Sequence, residues 1–172
     1  MENLAIEKNA TVEVKLNQIV ISLGAKKFFV SYNSKLTNVK VKGEELEFST
    51  VGKATKRKTA TMRSIMAHVK NAFKGAANNF VKQLQVVYAH FPVSIEAKGK
   101  EVIIKNFLGE KLPRKAVIVG DDTKVEVKGQ DITVTGSDKY SVGQTANNLT
   151  TATHIRKKDR RVFQDGIYPI IQ

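Results

Sequence analysis

Two stretches of the chain alternate apolar and polar residues on either side of a Lys-Gly pair, a pattern typical of a β-hairpin with one buried face. The first covers residues 39–48 and the second residues 125–134, a spacing of 86 residues. The same spacing aligns two later pairs of segments: Thr59-Ala60 with Thr145-Ala146, and His68-Val69-Lys70 with His154-Ile155-Arg156. We therefore predict that the chain is a duplicated module.

A helix is predicted after each hairpin. In the first copy, apolar residues recur at steps of three and four from Thr59 to Lys74, which indicates one buried stripe. In the second copy, Ser141 and Gln144 fit a capping box that opens a helix ending near Thr153. Alternating or apolar runs predict strands at residues 11–16, 19–23, 28–31, 84–88, 93–97, 101–105 and 116–119, and a further strand or ordered tail at 162–171. Gly, Ala and Asn cluster at residues 75–79 and predict a linker, which places the two repeats at residues 1–79 and 80–172.

The composition excludes several kinds of site. The chain has 172 residues, 41% of them apolar, and no cysteine, so disulfides, thiolate zinc sites and cysteine nucleophiles are excluded. A reducing, cytoplasmic location is the simpler expectation for such a chain. No apolar run approaches the roughly 18 residues of a membrane span, and Glu2 and Glu7 near the start do not fit an export signal. We expect no membrane partner.

The charge is strongly positive and unevenly placed. The formal net charge is +13, from 29 Lys and Arg against 16 Asp and Glu, and residues 48–95 contain no acidic side chain. Two basic clusters follow from this distribution. The cluster within residues 48–95 contains Lys53, Lys56, Arg57, Lys58, Arg63, Lys70, Lys74 and Lys82, and the cluster near the end of the second copy contains Arg156, Lys157, Lys158, Arg160 and Arg161. Such clusters favour a polyanionic partner, because phosphate neutralisation releases condensed counterions. The alternative is a charged surface that serves solubility alone.

Few residues of the sequence are candidates for catalysis. His68 and His154 occupy equivalent repeat positions near predicted helix ends, where a charge or hydrogen-bond role is expected, and His90 is expected to be a structural turn residue. The adjacent pair Asp121-Asp122 is predicted to form a polar turn. No metal-binding spacing or phosphate-binding glycine motif is present, so we expect no cofactor and no metal. A small nucleic-acid-processing enzyme using His154 and the Asp pair stays open as the weaker hypothesis.

More residues are candidates for binding nucleic acid than for catalysis. Residues 52–58 bunch four cations in a predicted loop, and residues 136–143 lead into a helix N-terminus that favours a phosphate. Polar side chains on the second helix offer contacts to sugars and base edges: Gln144, Asn147, Asn148, Thr151 and Thr153. Phe107, Phe163 and Tyr168 are isolated aromatic residues, so double-helical RNA fits better than a single strand. An ordinary solvated polar face is the alternative.

Five strings of the sequence, in this order and spacing, resemble one known family. They are RSIMAHVKNAFKG at residues 63–75, VYAHFP at 87–92, NFLGEK at 106–111, VEVKG at 125–129 and RVFQDGIY at 161–168. The chain is similar throughout to the universal large-subunit ribosomal protein L-six family, in its archaeal and eukaryotic branch, where the eukaryotic member is called L-nine. The resemblance implies an α+β fold of two tandem copies of a small module, each a twisted antiparallel sheet packed on one helix.

The resemblance also implies a non-enzymatic role in the large ribosomal subunit. The expected partner is ribosomal RNA near the sarcin-ricin loop, where translational GTPases dock, with neighbouring large-subunit proteins around a monomer. Carried over to matching positions, it places RNA contacts in the second repeat at Lys139, Gln144, Asn147, Asn148, Arg156, Lys157, Arg160 and Arg161, with Gly166 and Tyr168 shaping the basic C-terminal tail. The cations at residues 53–58 become a second RNA contact or an approach to a neighbouring ribosomal element. The alternative is a free-standing binder of double-stranded RNA.

Overall fold

The computed structural model describes residues 2–6, 10–24, 26–43, 45–159 and 161–170. The chain divides into two units, Met1–Asn78 and Asn79–Gln172, and each contains its own cluster of buried apolar side chains. No helix among the residues described is long and apolar enough to cross a membrane.

In its described part, the first unit consists of six strands followed by one long helix. The elements are β1 (Glu2–Ala5), β2 (Ala10–Lys15), β3 (Gln18–Leu23), β4 (Lys26–Ser31), β5 (Thr37–Lys42), β6 (Glu45–Thr50) and α1 (Lys56–Ala77). The strands form two antiparallel sheets, in the orders β1-β6-β5 and β2-β3-β4. The helix α1 buries the apolar stripe of Met62, Ile65, Met66 and Val69 against β3, β4, β5 and β6.

The second unit repeats this order and adds one strand. Its elements are β7 (Phe80–Val87), β8 (Ser94–Lys98), β9 (Glu101–Lys105), β10 (Arg114–Val117), β11 (Lys124–Lys128), β12 (Asp131–Gly136), α2 (Lys139–Ala152) and β13 (Gly166–Pro169), with a short 3-10 turn at Phe107–Gly109 between β9 and β10. The antiparallel sheets have the orders β11-β12-β7-β13 and β10-β9-β8. The last strand, β13, pairs with β7, so the prediction of a further strand in the tail is confirmed.

The hairpins carry the duplication at the level of single residue pairs. In the first hairpin Val39 is paired with Phe48, and 86 residues later Val125 is paired with Val134. The turn glycines Gly43 and Gly129 both adopt positive φ, 57° and 61°, which side chains disfavour. The predicted α+β class with a duplicated module of sheet and helix is confirmed, and the strands of each copy form two sheets.

The spacing of 86 residues does not extend into the helices. The buried stripe of α1 (Met62, Ile65, Met66, Val69) recurs in α2 as Val142, Thr145, Ala146 and Leu149, a spacing of 80. The first copy therefore has six more residues between its hairpin and its buried stripe. The predicted alignment of His68-Val69-Lys70 with His154-Ile155-Arg156 is wrong, because the first segment lies inside α1 and the second follows α2.

Both helices begin earlier than predicted. Thr55 is the N-cap of α1, and the helix continues to Ala77, so residues 75–77 of the predicted linker are helical. At α2 the N-cap is Asp138, whose carboxylate accepts hydrogen bonds from the Tyr140 and Ser141 amides and from the Ser141 hydroxyl. The predicted capping box is therefore wrong: Ser141 is buried inside the helix and donates to the true cap.

Candidate nucleic-acid interface

The segment after α2 exposes a run of cations. Arg156, Lys157, Lys158 and Arg161 are all exposed, and none of them forms an ion pair with a carboxylate among the described residues. Asp159, the one acidic residue between them, accepts a hydrogen bond from the Arg161 amide at 2.9 Å. Arg160, also predicted to contact RNA, lies outside the described residues. The run leaves four positive charges available to an anionic partner.

Buried contacts fix this segment at both ends. The Thr153 hydroxyl, predicted to be exposed and available to RNA, is buried and accepts a hydrogen bond from the Ile167 amide at 3.0 Å. The Phe163 ring stacks on His90 with centroids 4.7 Å apart, and Lys158 Nζ lies 4.4 Å from the centre of the same ring. The prediction that Phe163 is isolated is therefore wrong, because its stacking partner His90 comes from the segment after β7.

One buried carboxylate ties the tail to the end of β7. Asp165 is 2% exposed and accepts hydrogen bonds from the Ala89 and His90 amides and from His90 Nδ1. Burial alone raises the pKa of this carboxyl, but the bonds from Ala89 and His90 outweigh burial and leave the pKa below its ordinary value. Sequence reasoning missed the pair, because its members are 75 residues apart.

The exposed side of α2 offers fewer free polar groups than predicted. Lys139, Asn147 and Thr151 are exposed. Gln144 donates to Asn148, which donates in turn to the Val117 carbonyl, both at 2.9 Å, so these two amides hold α2 against β10. The Asp138 carboxylate lies at the N-terminus of α2 and accepts hydrogen bonds from two backbone amides of this helix. The predicted phosphate site at this N-terminus is therefore disfavoured by like charge.

In the tail, the Tyr168 ring packs directly against Gly166. A Cβ at the buried Gly166 would lie 3.1 Å from the Tyr168 ring, closer than side chains normally pack. The Tyr168 hydroxyl donates to the Gln164 carbonyl at 3.2 Å. The ring therefore covers the glycine, and Tyr168 is a partner of the tail backbone.

The basic cluster of the first unit lies partly within a helix. Lys56, Arg57 and Lys58 form the first turn of α1, not a loop as predicted, because Thr55 caps the helix. Lys58 Nζ turns back and donates to the Val51 carbonyl at 2.8 Å. Arg63 pairs with Glu2 at 2.9 Å. Lys53, Lys56 and Arg57 are exposed and form no ion pair within the described part of the chain.

Comparison with known proteins identifies the family. The family model described as Ribosomal protein L6 matches residues 91–166. The Large ribosomal subunit protein uL6 of Staphylothermus marinus is 40% identical over 171 residues, which cover 97% of this chain and 91% of the relative. The protein of the same name from Methanococcus vannielii is 40% identical over 172 residues with the same coverage. The chain belongs to the ribosomal protein L6 family. The predicted resemblance, including its archaeal and eukaryotic branch, is confirmed.

A further relative aligns with only part of its length. The Large ribosomal subunit protein uL6 of Methanosphaera stadtmanae is 50% identical over 113 residues, 66% of this chain and 61% of that relative. Ribosomal protein L6 is a structural, non-enzymatic family, so this chain is not an enzyme.

In the second unit, the Asp121-Asp122 pair and His154 lie near opposite ends of α2. Gly120, which precedes Asp121, packs against Ser141 at the start of α2, whereas His154 follows the end of this helix of about 21 Å. Asp121 pairs with Lys100 at 2.7 Å, and Asp122 accepts from the Ser137 hydroxyl at 3.0 Å. The Asp pair forms the predicted polar turn, and His154 does not share a cleft with it. Among the described residues no group of three or more potential ligands could hold a metal ion.

Arg114 is the functional candidate that sequence reasoning missed. Its guanidinium donates to both carboxylate oxygens of Glu110 and to the carbonyls of Ala152 and His154, and it lies 4.4 Å from the centre of the Phe107 ring. The Glu110-Arg114 spacing of four was a visible signal, but the carbonyl partners come 38 and 40 residues later. Arg114 therefore joins the turn after β9 to the end of α2 beside the cationic segment.

Proposed function

We propose that this protein is a structural constituent of the large ribosomal subunit that binds ribosomal RNA near the sarcin-ricin loop, where translational GTPases dock. Family membership over 97% of the chain supports the ribosomal role, because the relatives are large-subunit proteins by name. In this role the chain acts as a monomer in cytoplasmic ribosomes, among neighbouring large-subunit proteins.

The observation that carries the RNA-binding proposal is the run Arg156, Lys157, Lys158 and Arg161, which forms no ion pair with any residue that the structure describes. Exposed cations without carboxylate partners repel one another, and a phosphate backbone relieves this repulsion while releasing counterions. The run follows the end of α2 at Ala152. Lys139, Asn147 and Thr151 on the exposed side of α2 extend the same surface, with Gln144 and Asn148 at its edge.

The first unit supplies a second, smaller basic surface formed by Lys53, Lys56 and Arg57. We assign it to ribosomal RNA or to a neighbouring ribosomal protein with an acidic surface. The first copy has six more residues between its hairpin and its buried stripe, and this longer segment carries the cluster.

Crosslinking in assembled subunits tests the location. A photoreactive side chain replaces Lys157 in one variant and Lys98 on β8 in a matched control, and each variant is incorporated into large ribosomal subunits. We expect Lys157 to crosslink to the sarcin-ricin region of the RNA and Lys98 to crosslink there much less. Crosslinks from Lys157 to a distant RNA region would refute the location, and failure to co-sediment with subunits would favour a free-standing RNA binder.

Salt dependence tests the electrostatic basis. The logarithm of the affinity for purified large-subunit RNA should fall linearly with the logarithm of salt concentration, by about 0.7 to 0.9 for each phosphate contacted. Replacing Arg156, Lys157 and Arg161 by Ala should lower both affinity and slope. The control removes three other cations of the same unit, Lys98, Lys124 and Lys128, and should change both quantities less. An equal effect of the two triple variants would show that net charge alone matters.

A further inference from the structure

Arg114 presents a guanidinium that is already almost fully bound within the protein. Four of its five N–H groups donate to Glu110 and to the carbonyls of Ala152 and His154. One face lies on the Phe107 ring, which is 1% exposed. The side chain nevertheless stays 25% exposed. The guanidinium plane is therefore fixed, while part of the side chain stays accessible to a ligand.

Arg114 lines a cleft of about 590 Å³, a size typical of small-molecule sites. Leu108 and Ala152 are apolar residues of its lining, and Thr151 also lines it. The charged and titratable groups around the cleft are Glu110, Arg114, Lys115, His154, Arg156 and Lys158. Glu110 is neutralised by Arg114 and Lys115 is paired with Glu101, so Arg156 and Lys158 give the rim a positive excess.

Backbone strain is concentrated in the segments that form this cleft. Three residues other than glycine have positive φ in the described part of the chain: Asn106, Leu108 and Lys157. Leu108 is itself a wall of the cleft, and Lys157 lies between the rim residues Arg156 and Lys158. Strained residues of this kind persist only where their surroundings fix them, and they are common at ligand clamps.

A planar cationic face, an apolar wall and a cationic rim together match the chemistry of one unpaired nucleotide. RNA-binding proteins stack unpaired bases on arginine guanidinium planes as well as on aromatic rings, and they hold the phosphate with neighbouring cations. A paired base keeps its faces inside the duplex and has no use for such a cleft. The Arg114 guanidinium thus provides a stacking surface that the positions of the aromatic residues in the sequence did not indicate.

We infer that the Arg114 cleft binds a single unpaired RNA nucleotide, with its base stacked on the guanidinium and its phosphate at Arg156 and Lys158. The inference rests on the proposed RNA-binding function and adds what the cleft recognises: an extruded base beside a duplex. Glu110, Ala152 and His154 act as positioning partners that keep the guanidinium plane fixed.

The test compares two short RNA duplexes with the full-length protein. One duplex is fully paired, and the other is identical except for a single unpaired 2-aminopurine nucleotide, whose fluorescence reports a change in stacking. We expect the protein to bind the bulged duplex about tenfold more tightly, which corresponds to about 1.4 kcal/mol and lies in the range for one stacked base. Binding should also change the emission of 2-aminopurine.

Thr151→Glu is the decisive variant, because it places a carboxylate at the cleft without removing a side-chain hydrogen bond or core contact. Gln85→Glu on β7 is the control with the same charge change outside the cleft. We expect Thr151→Glu to abolish the preference for the bulged duplex, measured as the ratio of the two affinities, whereas Gln85→Glu should leave this ratio unchanged. Arg114→Lys keeps the charge but removes the planar face, and it should abolish the same preference.

The outcomes separate this inference from the function on which it rests. Equal binding of the two duplexes by the wild-type protein, or an unchanged preference in Thr151→Glu, would overturn the cleft assignment and leave the RNA-binding proposal intact. Failure to bind either duplex or large-subunit RNA would overturn the proposed function and the cleft assignment together.

Discussion

His90 Nδ1 lies 2.6 Å from a carboxylate oxygen of Asp165, across 75 residues of sequence. The other oxygen of Asp165 accepts from the Ala89 and His90 amides, so one side chain satisfies three donors. Because an ionised carboxylate only accepts hydrogen bonds, the Nδ1 atom of His90 carries the proton in this pair. The contact joins the loop after β7 to the residue that precedes β13, and it thereby orients Phe163 and the cationic segment.

Replacing Asp165 should destabilise the second unit markedly. Asp165→Ala leaves two amides and a ring nitrogen without their acceptor, which we expect to cost about 2–4 kcal/mol of unfolding free energy. Asp165→Asn retains one acceptor oxygen and should cost less. Urea unfolding of both variants measures the effect, with the exposed Asp131→Asn as a control expected within about 0.5 kcal/mol of wild type. Equal stabilities of Asp165→Ala and the control would contradict a stabilising role of the Asp165 hydrogen bonds.

The same pair predicts an acid-dependent loss of stability. The pKa of Asp165 is lowered in the folded protein because hydrogen bonds outweigh burial, so its contribution is present above the ordinary carboxyl pKa of 3.8. The contribution is lost as pH falls through the folded pKa, below that value. The difference in unfolding free energy between wild type and Asp165→Asn should therefore shrink as pH is lowered from 5 toward 2. A constant difference across this range would be inconsistent with an ionised Asp165.

The two helix caps should differ in strength. Asp138→Ala removes an acceptor of three hydrogen bonds at the start of α2 and should cost about 1–2 kcal/mol. Thr55→Ala removes one long bond of 3.4 Å at the exposed start of α1 and should cost about 0.5 kcal/mol. Chemical denaturation of both variants checks the order, and a larger loss for Thr55→Ala would contradict the assigned caps.

Two glycines of the second unit should respond in opposite directions to alanine. A Cβ at Gly136 would lie 2.8 Å from a methyl carbon of Val142, so Gly136→Ala should destabilise by about 1–3 kcal/mol through overpacking. Gly143 lies within α2 with nothing within 4 Å of a Cβ, so Gly143→Ala should stabilise by about 0.5–1 kcal/mol. Thermal unfolding gives both signs, and destabilisation by Gly143→Ala would mean that space near α2 is tighter than observed.

The hairpins were predictable because their determinants are local. Alternation of side chains selects the buried face, and Gly43 and Gly129 supply the positive φ that each turn requires. The duplication followed from recognising that the pattern occurs twice, and the α+β class was implied by the family resemblance. The buried stripe of α1 was also readable from spacing alone, since Met62, Ile65, Met66 and Val69 recur with helical periodicity.

The helix starts and the cleft were not predictable in this way. Asp138 and Ser141 are both good caps, and only the burial of Ser141 decides between them. The sequence showed that Arg114 follows Glu110 by four residues, but the carbonyls that fix its plane belong to the end of α2. The sequence showed where the cations of the basic run lie. Whether these cations are free to bind a phosphate depends on which carboxylates the fold brings near them.

The first turn of α1 should show a conflict between helix stability and binding. Lys56 and Arg57 lie at the positive end of the helix dipole, where no acidic side chain offsets them. We expect the double variant Lys56→Glu/Arg57→Glu to raise the unfolding free energy by about 1 kcal/mol, since each cation at this position is unfavourable by a few tenths and each anion is favourable by a similar amount.

The same double variant should weaken binding to large-subunit RNA and reduce its salt dependence, because it reverses two exposed charges of the proposed second contact. The matched control, Lys70→Glu/Lys74→Glu, makes the same charge change later in α1. Lys74 lies in the last turn, where an anion opposes the helix dipole, so this variant should lower the unfolding free energy. Urea unfolding and RNA titration on both variants separate the effects. Higher stability with unchanged RNA affinity would remove the first-turn cations from the binding surface, whereas lower stability would mean that these cations have anionic partners within the protein.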